Sequence, residues 1–166
     1  MERSTISERS SKLFPFSGIY SASKNLIDLE KNKKIDQQVN TVSLFWETIG
    51  ENMDQWKGVR VGNLSASEVR RDFIHTHVII LQALGHMGKD LLKQFPTNWK
   101  SKLKNLNKIN WLKNNSVWQQ RVIINGRVVK NNNSIILASN VIKKALGIKL
   151  DAKEKALESQ VKKSGK

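Results

Sequence analysis

The sequence predicts a mainly α protein that folds as one helical domain (1–166) with a small β-hairpin near residues 122–129. Apolar residues recur every three or four positions through the first half, which is the period of a helix with one buried face. The hydrophobic fraction is 39% and includes five tryptophans, enough for a chain of 166 residues to bury a core. We expect a helical half at 17–93, a basic half at 97–150 and a frayed tail at 163–166.

The composition excludes several classes of protein. There is no cysteine, so disulfides and thiolate metal sites are ruled out. No apolar run approaches the roughly 20 residues needed to span a bilayer. The first four residues lack the apolar core of a signal peptide. We therefore expect a cytoplasmic protein without a membrane partner.

Three helices are expected in the first half. Ser17 is the predicted N-cap of the first, which runs to about Glu30 and buries one apolar stripe: Ile19, Ala22, Leu26 and Leu29. The second spans 35–53, where the apolar positions are spaced by 4, 3, 4, 3 and 4 residues: Ile35, Val39, Val42, Trp46, Ile49 and Met53. Residues 54–63 contain two glycines and predict a loop. Ser65 and Glu68 then match a capping box, and a long helix is expected from there to 93, before Pro96.

The second half carries weaker local signals. A short basic helix capped by Thr97 or Asn98 is expected, with the apolar residues Trp99, Leu103 and Leu106. The pair Asn125-Gly126 is typical of a two-residue hairpin turn and predicts the hairpin at 122–129. Residues 131–133 predict a loop. Ser139 is expected to cap a helix that ends at Gly147, and a last helix runs from Asp151 to about Lys162.

The distribution of charge is the strongest functional signal. The formal net charge is +15, and no Asp or Glu occurs in the sixty residues between Asp90 and Asp151. We call these residues, 91–150, the acid-free segment. It contains twelve basic residues: Lys93, Lys100, Lys102, Lys104, Lys108, Lys113, Arg121, Arg127, Lys130, Lys143, Lys144 and Lys149. A local positive field of this kind favours a polyanionic partner, most commonly nucleic acid.

Nine of these cations are the predicted DNA contacts. Arg121, Arg127 and Lys130 are the primary candidates, since arginine can make bidentate contacts with guanine or phosphate. Six lysines are expected to add phosphate contacts: Lys100, Lys102, Lys104, Lys113, Lys143 and Lys144. Trp99 is expected in the core because it shares helical spacing with Leu103. Trp111 and Trp118 are open between the core and stacking on exposed bases.

No pattern in the sequence requires an enzyme or a cofactor. His75 and His77 point apart on a helix, so they cannot share a metal. Glu47 and Glu51 are four residues apart, with Asp54 near, and could hold Mg²⁺ in a nuclease, although a solvated helix face is the commoner outcome. No metal, catalytic or cofactor-binding residue is predicted. The nuclease stays a third, weaker hypothesis.

Several segments, in this order, resemble the DNA sulfur modification protein DndB family. The matching residues lie at 9–14 (RSSKLF), 17–20 (SGIY), 43–48 (SLFWET), 84–88 (LGHMG), 109–111 (INW), 125–128 (NGRV) and 142–148 (IKKALGI), together with Trp118, Arg121, Leu150 and Glu154. The resemblance covers most of 9–158. It implies a bacterial, DNA-binding regulator that represses its own operon and accompanies phosphorothioate modification, in which sulfur replaces a non-bridging phosphate oxygen.

One departure from the family concerns its longer members. These have an N-terminal region with an Asp-Gly-Gln-His-Arg motif, which this sequence lacks. The chain therefore matches the C-terminal portion, as a truncated product, a split subunit or a minimal variant. The predicted function is a DNA-binding regulator of DNA sulfur modification, with duplex DNA as the partner. The alternative is a protein-interaction subunit of a DNA modification or defence complex, with other DNA sulfur modification proteins as partners and only non-specific nucleic-acid contact.

Overall fold

The computed structural model describes residues 6–7, 9–27 and 35–164, and the described chain is mainly α, as the sequence predicts. Its α-helices are α1 (Phe16–Leu26), α2 (Ile35–Glu51), α3 (Asp54–Arg60), α4 (Ala66–Asp72), α5 (Val78–Gln94), α6 (Trp99–Leu103), α7 (Asn132–Leu146) and α8 (Ala152–Ser164). A two-stranded antiparallel sheet joins β1 (Ile123–Ile124) and β2 (Arg127–Val128). Three short 3₁₀ helices lie at Ile74–Thr76, Lys104–Lys108 and Ser116–Trp118. No helix among the described residues is both long and apolar enough to cross a membrane.

Helix α5 is the centre of the fold, with α1 packed on one side and α7 on another. Its glycines explain how close these helices come. A Cβ on Gly85 would lie 2.1 Å from the carbonyl oxygen of Ala22 in α1. A Cβ on Gly88 would lie 2.4 Å from the ring of Phe45 in α2. Glycine in a helix interior is unfavourable by itself, so packing against α1 and α2 accounts for both positions.

The first two helices differ in detail from expectation. Helix α1 begins at Phe16 with Pro15 as its N-cap, so the Ser17 cap is wrong. Its buried positions include Ala22 and Leu26, but Ile19 is exposed. The predicted end at Glu30 and the buried Leu29 lie outside the described residues. Helix α2 is confirmed over Ile35–Glu51.

The apolar stripe of α2 is buried only toward its C-terminal end. Phe45, Ile49 and the following Met53 are in the core, whereas Ile35 and Val39 are exposed. The loop expected at 54–63 is also wrong, since α3 occupies most of it. Helix α3 buries Trp56 on the edge of the core, which is a tertiary contact that local glycine content does not reveal.

The long helix expected from 65 to 93 is interrupted. Phe73 is extended (φ −111°, ψ 139°) between α4 and the 3₁₀ helix that precedes α5. Here the backbone pairs with a distant segment: Ile74 N donates to Trp111 O (2.9 Å), and Lys113 N donates to Asp72 O (3.0 Å). These bonds replace helical ones. The predicted capping box is wrong as well, because Ser65 makes no side-chain cap bond and its Oγ instead pairs with Ser67 Oγ (2.7 Å).

In the second half, the turn and the helix ends follow their local signals. Asn125 (φ 50°) and Gly126 (φ 73°) are both left-handed, as a type I′ turn requires, and the hairpin is confirmed. Helix α7 ends at Gly147 (φ 73°) as expected. It begins earlier than predicted, at Asn132 in the expected 131–133 loop, because Asn131 Oδ1 accepts from Ser134 N (2.8 Å). The Ser139 cap is therefore wrong.

Helix α8 begins with a reciprocal cap. Glu154 N donates to Asp151 Oδ1 (2.8 Å), and Asp151 N donates to Glu154 Oε2 (3.0 Å). The helix continues to Ser164, slightly beyond the expected Lys162. Of the tail predicted at 163–166, residues 165 and 166 lie outside the described residues.

Candidate nucleic-acid interface

The basic side chains of the acid-free segment divide into two structural classes. Three of the nine predicted DNA contacts form ion pairs with acids that lie outside the segment in sequence: Lys143, Arg121 and Lys144. The other six have no carboxylate of the described residues within ion-pairing distance: Lys100, Lys102, Lys104, Lys113, Arg127 and Lys130. These two classes have different chemical roles.

Lys143 is a buried structural cation. Its side chain is 1% exposed, and its Nζ donates to both Asp90 Oδ2 and Glu154 Oε1. Asp90 comes from α5 and Glu154 from the first turn of α8, so the ammonium joins three helices. A buried charge of this kind needs its partners, since unpaired burial is costly. Lys143 is inaccessible to DNA in this structure, and we remove it from the interface that the sequence predicted.

Arg121 and Lys144 share one carboxylate, Glu158 of α8. Arg121 Nη2 lies 3.1 Å from Glu158 Oε2, and Arg121 Nη1 donates to Val117 O (3.2 Å). Lys144 Nζ donates to the same Glu158 oxygen. Burial opposes ionisation of Glu158, but hydrogen bonds from Arg121 and Lys144 outweigh it and lower its pKa. The Arg121 side chain is only 15% exposed, so it fastens α8 to the segment and is not a free base-contacting group.

The first group of accessible cations surrounds α6, and we call it the α6 patch: Lys100, Lys102 and Lys104. Lys100 and Lys104 are exposed, and Lys102 is half-buried. Lys102 Nζ lies 4.4 Å from the centre of the Phe95 ring, which holds its stem in place. The same Nζ is 3.8 Å from where a Cβ on Gly147 would be, so the patch adjoins the C-terminal end of α7.

The second group precedes α7 in the sequence, and we call it the α7-start patch: Lys113, Arg127 and Lys130. Arg127, on β2, and Lys130 are exposed. Lys113 is half-buried and its Nζ donates to Arg70 O (2.8 Å), while burial lowers its pKa. Lys113 and Lys130 both lie near His77, whose pKa falls to about 4 because of burial and then because of these two positive charges.

A family comparison identifies the chain. The model of the DndB family, described as DNA-sulfur modification-associated, matches residues 1–149. The chain belongs to the DndB family. Comparisons with curated proteins and with solved structures give no match. The DndB match ends within the segment that joins α7 to α8. It therefore includes both patches and Lys143, but not the acids Glu154 and Glu158 of α8.

The tryptophans of this DndB-family chain are structural. Trp111 and Trp118 are buried and stack on each other, with centroids 5.4 Å apart and an interplanar angle of 16°. Their Nε1 atoms donate to Leu106 O (3.0 Å) and Asn110 O (2.9 Å). Trp99 is also in the core, as predicted. The alternative in which Trp111 and Trp118 stack on bases is therefore not supported by this arrangement.

His75 and His86 of the DndB-family chain are held by contacts within the fold. His75 is fully buried, accepts from Trp56 Nε1 at Nδ1 (3.1 Å), and lies 3.3 Å from Gln55 Oε1 through Nε2. Burial lowers its pKa to about 3, so it is neutral at physiological pH. His86 lies near Asp90 and Glu154, with ligand atoms within 4.8 Å of one another. Lys143 already bonds both carboxylates there, so the positive charge at this cluster is supplied by the chain itself.

Two of the three carboxylates of the nuclease hypothesis are paired with cations, and the third, Glu47, is exposed. Glu51 Oε1 lies 2.8 Å from Arg60 Nη2, and a hydrogen bond from Arg60 lowers the pKa of Glu51. Asp54 Oδ1 lies 2.8 Å from Lys57 Nζ. These are solvated pairs on α2 and α3. The sequence analysis missed the partners of the buried cations, because Asp90, Glu154 and Glu158 pair across 11 to 53 residues and no local pattern marks them.

Proposed function

We propose that this DndB-family chain binds duplex DNA through the α6 patch and the α7-start patch, and that this binding regulates DNA sulfur modification by repression of its own operon. The single observation that supports it is that six of the nine predicted contacts in the acid-free segment have no ion-pair partner among the described residues. Lysine and arginine side chains of this kind supply most of the affinity for the phosphate backbone by releasing its counterions. The proposed role is binding and not catalysis.

The placement of the two patches sets a length scale for the DNA. Lys130 immediately precedes the Asn131 cap of α7, and Lys102 lies beside Gly147 at its other end. A helix of 15 residues is about 22 Å long at about 1.5 Å per residue. A duplex that contacts both patches must therefore extend over at least about 22 Å, which is roughly six to seven base pairs at about 3.4 Å per pair.

The test is a fluorescence anisotropy titration of a labelled duplex of about 20 base pairs over a series of salt concentrations. If about six phosphates are neutralised, log affinity should fall with log salt with a slope near −5. Lys104→Gln in the α6 patch and Lys130→Gln in the α7-start patch should each reduce the slope by about one. Lys155→Gln is the matched control, since Lys155 is exposed on α8 outside both patches, and it should leave the slope unchanged. Binding that is insensitive to salt would contradict the proposal.

Regulation is tested separately from binding. The chain should bind the DNA upstream of its own gene more tightly than a random duplex of equal length and composition, and it should bind single strands less well than either. Equal affinity for all duplexes would leave a non-specific DNA-binding protein and would refute the repressor role. A reporter placed downstream of the same region should be repressed by the wild-type chain and released by the double variant Lys104→Gln/Lys130→Gln.

A second candidate is a protein-interaction subunit of a DNA sulfur modification complex, and one observation favours it. Helices α1 and α2 border an apolar groove lined by Tyr20, Ile27, Ile35 and Val39, of which Tyr20, Ile35 and Val39 are exposed. Exposed apolar side chains that cluster around a groove can provide an interaction surface. Size-exclusion chromatography with purified products of neighbouring DNA sulfur modification genes tests it. A complex that is lost in Val39→Asp but kept in Lys130→Gln would support this candidate.

A further inference from the structure

A small pocket at the start of α5 combines positive charge with apolar walls. It has a volume of about 220 Å³, and the residues that matter here are Leu13, Pro15, Arg70, His77, Val78 and Lys130. Pockets for drug-sized ligands are larger, commonly about 300–1,000 Å³, so this one suits a single chemical group. Lys113 lies outside the lining, but its charge, like that of Lys130, acts on His77.

The polar side of the pocket is arranged for an anion. Arg70 is held by the backbone, since its guanidinium donates to Lys12 O and to Ser7 O (3.2 Å). Lys130 is exposed at the rim. His77 Nε2 is buried and has no hydrogen-bond partner among the described residues. This nitrogen has almost no exposed surface, so a bound oxygen would reach it only after the ring turns toward the pocket, and the new hydrogen bond would then remove the cost of a buried nitrogen without a partner.

The backbone adds to the same preference. His77 is the N-cap residue of α5, a helix of 17 residues whose first turn has no acidic side chain and no side-chain cap. The amides of the first turn and the positive end of the helix dipole therefore lie at the pocket, where an anion is favoured. The helix start only supports the argument, which rests on the cations and the unpartnered imidazole nitrogen.

The apolar side of the pocket argues for sulfur. Leu13, Pro15 and Val78 provide no hydrogen bond to a phosphate oxygen, and placing a fully hydrated oxygen against them is costly. A sulfur in a phosphorothioate is larger, accepts hydrogen bonds weakly and is less strongly hydrated, while the group keeps its negative charge. It can face the apolar wall while its remaining oxygen faces the cations.

We infer that this pocket binds the phosphorothioate group of sulfur-modified DNA, so that the chain senses the product of the modification with which its family is associated. The inference rests on the proposed DNA binding. It adds a specific contact to the non-specific charge of the two patches. It assigns the recognition of sulfur to Val78 and Leu13, the recognition of charge to Lys130, and a hydrogen bond to the neutral imidazole of His77.

The experiment compares two duplexes of identical sequence, one with a single phosphorothioate linkage on each strand and one without, in the anisotropy assay used above. Replacing an oxygen by sulfur against apolar side chains is comparable to burying one methylene, so the modified duplex should bind about fourfold more tightly. Val78→Thr keeps the shape of the side chain but presents a hydroxyl. It should lower the ratio of the affinities for the modified and unmodified duplexes from about four to about one.

Two further arms separate the source of the anion and the role of charge. Lys130→Gln, at the rim of the pocket, and Lys104→Gln, outside it, should each weaken binding of both duplexes. Lys104→Gln should also keep the fourfold ratio of the two affinities. Titration of inorganic thiophosphate and of inorganic phosphate against ¹⁵N-histidine-labelled chain should shift the His77 imidazole signals, with thiophosphate acting at lower concentration. The free anions could shift the His77 signals while the two duplexes bind with equal affinity. That result would place a small anion, and not DNA, in the pocket and would overturn the inference.

Failure of this inference is distinguishable from failure of the proposed function. Equal, salt-dependent binding of both duplexes would refute phosphorothioate recognition and leave DNA binding intact. No binding of either duplex would refute the proposed function and this inference together. A thermal melt of Val78→Thr within a few degrees of the wild type shows that the variant is folded, and Leu13→Asn provides an independent variant of the same wall if Val78→Thr is unstable.

Discussion

Replacement of Lys143 tests whether this residue belongs to the core or to the DNA interface. Lys143→Ala leaves the carboxylates of Asp90 and Glu154 without their common cation, and the side chains of Lys143 and Glu154 are 1% and 4% exposed. Removing one member of a buried ion pair costs about 3–5 kcal/mol of unfolding free energy. For a domain of this size, each kcal/mol lowers Tm by about 2–4 °C, so a fall of roughly 6–20 °C is expected.

The assays are urea unfolding, for the free energy, and thermal unfolding, for Tm, both followed by far-UV circular dichroism, with DNA affinity measured on the same preparations. The triple variant Lys143→Met, Asp90→Asn and Glu154→Gln removes the charges together, so it should recover most of the lost stability, and glutamine at 154 can keep the helix cap. Lys144→Ala is the matched control. Its side chain is 49% exposed and its partner Glu158 keeps Arg121, so it should cost under about 1 kcal/mol. Wild-type stability combined with lost DNA binding in Lys143→Ala would refute the reasoning and return Lys143 to the interface.

The remaining predictions concern acid stability and helix packing. The folded-state pKa of His75, about 3, is far below the usual 6.5, so the unfolded state takes up a proton first as pH falls. The contribution of this residue to stability should therefore be intact above about pH 6.5 and decline by about 1.4 kcal/mol per pH unit between 6.5 and 3. In urea unfolding, the free energy of His75→Gln should fall less steeply with decreasing pH than that of the wild type. Gly85→Ala places a Cβ 2.1 Å from the backbone oxygen of Ala22 and should lower the unfolding free energy by about 1–3 kcal/mol. Gly50→Ala in α2, where no atom lies within 4 Å of the added Cβ, should raise the unfolding free energy by about 0.5–1 kcal/mol. If both glycine variants lose stability, close packing is not the cause of the loss in Gly85→Ala.

Features with a local cause were predictable from the sequence. The Asn125-Gly126 turn, the stop at Gly147 and the helix α2 each depend on residues a few positions apart. The break at Phe73 was not predictable, because its backbone partners Trp111 and Lys113 are about 40 residues away. The early start of α7 could have been predicted, since Asn131 is a favourable N-cap, but the run of asparagines is equally typical of a loop.

The candidate interface shows the same division. Composition located the positive field in the acid-free segment, and six of the nine predicted contacts remain free of ion pairs with the described carboxylates. Which three cations are neutralised could not be predicted, because Lys143 and Lys144 are adjacent in sequence yet one is 1% and the other 49% exposed. Adjacent positions on a helix point about 100° apart, so only the packing of α5 and α8 decides which of them is buried.

The absence of acids along 91–150 therefore overstates the field that a partner would meet. Asp90 lies just before the segment, and Glu154 and Glu158 lie just after it, and the fold returns all three to Lys143, Arg121 and Lys144. Lys143 and Lys144 lie in the last turn of α7, so these pairs remove charge beside the α6 patch and leave the cations of the two patches unneutralised. A chain with twelve evenly accessible cations would bind any polyanion that reached it. Two patches at opposite ends of a helix about 22 Å long instead favour a rigid, periodic polyanion, and duplex DNA has that form.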